Sequence, residues 1–103
     1  MQLSGAAGAL IRALARRAGA MPHIEEIGSR PWASITFTGA RHRIALRFSG
    51  PDATASAERM CDGLDHAEFE LGRHLLVDID VVEREEEDAG CRILLEALTV
   101  EDG

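Results

Sequence analysis

Four histidines, two cysteines and 18 acidic residues are the side chains of this 103-residue chain that could do chemistry, and their spacing limits what that chemistry would be. Asp62 and His66 lie four residues apart, the separation that places two ligands on one helix face, and His74 or Cys61 could join them. Zinc sites usually show tighter Cys/His pairs than this, so no metal is assigned. Cys61 and Cys91 are far apart and lack a CxxC spacing. Placed on a helix's apolar stripe and at the start of an inward-facing strand, they read as buried free thiols, which are usually inert. Asp78 and Asp80 share a strand face and could bind a cation or act as an acid–base pair. Alternating acids on a strand more often keep it solvated and discourage edge-to-edge pairing. His42 is expected at the core edge beside Phe37 with its ring hydrogen-bonded, and His23 and His66 at helix-to-strand transitions.

What is missing removes whole classes of activity. No GxSxG, HExxH, glycine-rich phosphate loop or EF-hand pattern is present. Lysine is absent, which excludes a P-loop lysine and Schiff-base catalysis, and tyrosine is absent, which excludes phenolic acid catalysis. No cofactor is expected, and an enzyme is not the leading reading.

Charge carries more information than any motif. Residues 1–50 hold seven arginines against Glu25 and Glu26, a net +5. Residues 51–103 hold four arginines against sixteen acids, a net −12. Oppositely charged halves attract, within one molecule or between copies. The excess of Ala, Gly, Arg, Asp and Glu is the usage of a GC-rich bacterial genome. At 103 residues and 46% hydrophobic content the chain is expected to be one domain, 1–103, with a single modest core.

Residues 3–19 repeat apolar side chains at helical spacing, with Arg12, Arg16 and Arg17 behind them, and Gly19 and Pro22 end the run. This start superficially imitates a signal peptide, but its apolar stretch is short and broken by Arg12. No run approaches the ~20 apolar residues of a membrane span. A cytoplasmic setting without a membrane is expected. After a linker, His23 to Pro31, alternation over residues 32–48 predicts a hairpin turning at Gly39-Ala40, with Ile35 opposite Ile44, Phe37 opposite His42 and Ala33 opposite Leu46. Residues 52–66 read as a second helix and 74–100 as a second hairpin around the acidic turn Glu85–Gly90, with a frayed end at Glu101-Asp102-Gly103. His23, Glu25, Ile27, Gly28 and Arg30 faintly echo His66, Glu68, Leu71, Gly72 and Arg73, which suggests an internal duplication.

The expected fold is thus α+β in the order αββαββ, a four-stranded, mostly antiparallel sheet with two helices on one face. On the other face the predicted phase puts Leu76, Val82, Leu94, Leu98 and Val100 in water, more large aliphatics than a monomer normally shows. Beside them stand Trp32, Arg41, Arg43 and Arg47 on one hairpin and Asp78, Asp80 and Glu96 on the other. A homodimer held by the aliphatics and aligned by these charges is the expectation, in an adaptor, a chaperone or an assembly subunit. The acidic run Glu83–Asp88 offers a docking site for a basic protein partner. One alternative is a small-molecule site or minor enzyme in the helix–sheet groove, using His42 or His66. Another is an RNA-binding sheet face built on Trp32 and the arginines, disfavoured by one aromatic and a net charge of −7.

Overall fold

The structure, a computed structural model, describes residues 5–101. Its elements are α1 (Gly5–Ala18), β1 (His23–Ala33), β2 (Thr38–Ser49), α2 (Ala53–Cys61), a single 3-10 turn (Leu64–His66), β3 (His74–Glu87) and β4 (Gly90–Glu101). The four strands form one antiparallel sheet in the order β1-β2-β4-β3, so β2 and β4 are central while β1 and β3 are edges. The α+β class and the αββαββ order are those expected. The predicted helix start at Leu3 and the frayed Asp102-Gly103 lie outside the described residues.

Helix α1 buries Leu10, Ile11, Leu14 and Ala18 and leaves Arg12 and Arg16 exposed, as an amphipathic helix on a sheet should. It stops at Gly19, whose φ of 74° is left-handed and whose N–H returns to the Ala15 carbonyl at 2.9 Å. Its last carbonyls gain a partner from the second helix: Arg59 Nε donates to the Ala18 oxygen at 2.9 Å. The favour is returned, because Arg17 Nε donates to the Met60 oxygen at 3.0 Å and its Nη2 donates to the Asp62 oxygen. Each helix therefore has its negative C-terminal end capped by an arginine of the other. Between them and the sheet lies the core, where Leu10, Ile11, Leu14 and Met60 meet Ile44, Leu46, Ile93 and Leu95.

The first hairpin differs from its prediction. Residues 23–31 are not a linker but most of β1, and the turn is Ser34–Phe37 rather than Gly39-Ala40. Ser34 makes this turn locally: its Oγ accepts the N–H groups of Thr36 (3.3 Å) and Phe37 (3.0 Å), and its own N–H donates to the Phe37 oxygen at 2.8 Å. Ile44 consequently pairs with Ile27, His42 with Ser29 and Leu46 with Ile24, not with Ile35, Phe37 and Ala33. Ile35 and Phe37 are exposed at the hairpin tip. The alternation of β1 was hidden by a bulge between Ile24 and Glu26, which breaks the two-residue period. Gly39 has another purpose than a turn: it sits in β2 where a Cβ would strike the Thr99 carbonyl oxygen of β4.

The predicted second helix ends early. Regular α2 stops at Cys61, and Gly63, at φ 64°, separates it from the 3-10 turn holding His66. In the second hairpin, β3 carries bulges between Leu76 and Asp78 and between Val81 and Glu83. The first reverses the phase at the start of the strand, so Leu75, which an unbroken alternation would turn inward, faces out and Leu76 faces in.

Candidate interaction surface

One sheet face carries Ile44, Leu46, Phe48, Cys91, Ile93, Leu95 and Ala97 into the core beneath both helices. Among the described residues no helix covers the other face. From the β1–β2 hairpin tip, its first row of cross-strand neighbours is Trp32, Gly39, Val100 and Leu75. The second is Arg30, Arg41, Leu98 and Asp78, and the third Gly28, Arg43, Glu96 and Asp80. Read by strand, the β1–β2 side is basic, the β3 side is acidic and β4 between them is mixed.

The five aliphatics expected in water fare differently from one another. Leu94, Leu98 and Val100 are on the open face yet only 3%, 7% and 6% exposed. Leu98 is flanked by Arg41 and Asp78, and an arginine stem covers apolar surface while its head stays in water; Leu94 lies between Ala45 and Glu83 in the middle of the sheet. Leu76 turns to the helices and packs against the core. Val82, in the second β3 bulge, is 48% exposed, and Leu75 and Val77 near the first bulge are 48% and 54% exposed. An unbroken alternation that turns Leu76 outward would turn Leu75 and Val77 inward, and the bulge between Leu76 and Asp78 explains their exit. With half-buried Trp32 and the tip residues Ile35 and Phe37, they make one end of the molecule apolar.

The charged residues form two groups. At the far end Glu25 accepts from Arg47 and Arg92, both at 2.8 Å, and Arg47 also donates to Glu87 at 2.8 Å. These arginines hold the Glu25 carboxyl below the ordinary carboxylate range, and Glu25 and Glu87 in turn raise the Arg47 pKa. Arg43 reaches Glu96 at 3.4 Å and Glu26 at 3.8 Å. Of the arginine–acid pairings expected within the sheet, only Arg43–Glu96 is formed. Arg41, Asp78 and Asp80 form no ion pair among the described residues, and neither does Arg30, which lies in β1 rather than in the expected linker. Arg30 and Arg41 stand directly opposite each other, a like-charge pair that is normally unfavourable. They border a depression of about 460 Å³ lined also by Gly28, Ser29, His42, Arg43 and Glu96.

The residues weighed for catalysis and metal binding are dispersed or engaged. His42 is buried, with Nδ1 2.7 Å from Ser29 Oγ and Nε2 2.9 Å from Thr99 Oγ1. Burial, and secondarily the charge of nearby His74, push its pKa below the ordinary histidine value. A serine–histidine contact resembles a nucleophile and its base, but Thr99 stands where a carboxylate would stabilise the imidazolium, so His42 is ill-suited to keep a proton taken from Ser29. Burial raises the thiol pKa of Cys61 and of Cys91, which disfavours the reactive thiolate. The break at Gly63 separates Asp62 from His66, and exposed His66 meets Asp65 at 3.5 Å instead. Among the described residues no three His, Cys, Asp or Glu side chains are gathered for a metal ion.

Fold and surface together define an α+β protein with a one-sided sheet whose free face is divided by charge. Comparison with family models, with curated proteins and with solved structures gave no match. No described helix is long and apolar enough to cross a membrane.

Proposed function

We propose that the protein acts without catalysis, as a small association module that self-associates through its open sheet face. An adaptor, a chaperone or a subunit of a larger assembly has these requirements. One observation carries the reading: Arg30 and Arg41 on one side of this face and Asp78 and Asp80 on the other form no ion pair among the described residues, beside exposed Leu75, Val77 and Val82. Unpaired charges of both signs next to apolar side chains are what a polar-rimmed interface leaves behind when its partner is removed. The acidic run Glu83–Asp88, which forms the last residues of β3 rather than a turn beginning at Glu85 and ends in the two-residue turn Asp88-Ala89, adds a surface for a basic protein. A bacterial cytoplasm suits the two free thiols, Cys61 and Cys91, because it keeps such groups reduced.

Sedimentation equilibrium tests the reading directly. A reversible dimer at micromolar concentration, weakened by salt, is expected. A monomer throughout that range removes self-association as the function.

A further inference from the structure

Resting on the self-association reading, we infer that two copies pack open face to open face about a two-fold axis running along the strands, between β2 and β4. Such an axis lays β1 of one copy over β3 of the other and β2 over β4, and keeps each row opposite the same row. Arg30 then meets Asp78 of the second copy, with Arg41 close by. Arg43 and the depression at Gly28 receive Glu96 and Asp80 of the second copy, and Trp32 lies over its Leu75. Every such contact occurs twice, because a two-fold interface is isologous.

Charge selects this axis over its rivals. A two-fold axis across the strands would lay β2 over β2 and bring Arg41 against itself. Pairing of two β3 edges would set Asp78, Asp80, Glu83 and Glu85 against their own copies, and β3 is bulged twice as well. Within one chain Arg41 and Asp78 flank Leu98 of β4 and form no ion pair among the described residues, which leaves both heads available to a second copy. The contact is confined to the apolar end. Further along, the axis would bring Arg47 over Arg92, but both are already held by Glu25 in their own chain, and packed sheets diverge away from their crossing point.

Charge reversal in trans is the test. Variants R30E/R41E and D78R/D80R, each alone, are expected to weaken self-association about tenfold or more. Mixed, they are expected to form a heterodimer, since one of the two symmetry-related contacts is then native and the other is restored with its charges exchanged. Circular dichroism checks that each variant folds. If one does not, wild-type protein still decides: Trp32 emission should shift to the red on dilution with the same midpoint as the change in mass. A wild-type dimer that both variants leave intact, or an unmoved Trp32 signal, overturns this geometry while self-association stands. A monomer at all concentrations overturns both. Salt-sensitive binding of inorganic phosphate or a single-stranded oligonucleotide to monomeric wild type, lost in R30E/R41E, would assign the arginine pair to an anion instead.

Discussion

His42 Nε2 lies 2.9 Å from Thr99 Oγ1, a buried contact that ties the two central strands together inside the helix-covered face. The other ring nitrogen engages Ser29, so one side chain joins β1, β2 and β4. Because burial depresses its pKa in the fold below the ordinary 6.5, the unfolded chain binds this proton more readily than the native one. The neutral ring therefore contributes stability that is complete above that value and declines as pH falls below it. Urea unfolding at a series of pH values should show the midpoint dropping on acidification through this window. His42→Gln, which cannot titrate, should flatten that part of the profile.

Reciprocal arginine caps hold the two helix ends. Arg17→Met and Arg59→Met each leave terminal carbonyls without a charged donor while keeping a long apolar stem. Each is expected to cost about 1–2 kcal/mol in chemical denaturation. Since the two arginines cap different helices at one junction, the double variant should depart from simple additivity.

Gly39→Ala should be destabilising despite its position in an ordinary strand. The added methyl meets backbone, the Thr99 carbonyl and Val100 Cα, neither of which can rotate away. A loss of about 1–3 kcal/mol, read from the thermal midpoint, is expected for this forced overpacking. The same substitution at Gly28, where a Cβ meets open space, should leave the midpoint nearly unchanged.

Two aliphatics of the open face should behave differently. Leu94→Ala removes a side chain that is nearly fully covered and should cost about 2–5 kcal/mol. Val82→Ser changes an exposed position and should leave the monomer's stability within about 0.5 kcal/mol. Denaturant titration of the two variants side by side makes the comparison.

The helix order, the layer on which the helices pack and the inward set of β4 were legible from residue types alone. Helical spacing of Leu10, Ile11 and Leu14 survives any tertiary arrangement that offers one apolar surface, and Cys91, Ile93, Leu95 and Ala97 alternate without interruption. Arginine at 41, 43 and 47 likewise reads as the outward phase of β2. Where the reading failed, an unseen strand partner was responsible. Ser34 closes the first turn with its hydroxyl, a signal weaker than the glycine five residues on, whose real constraint is the carbonyl of Thr99 on a strand some sixty residues distant.

Amphipathic period and charge segregation belong to the chain itself, because they depend only on side chains a few positions apart. Bulges at Glu25, Val77 and Val82, the opposition of Arg30 to Arg41, and the cover over Leu94, Leu98 and Val100 were decided by the folded sheet. Each requires a neighbouring strand in one particular register, and register is a free-energy balance over the whole ladder that no local window contains.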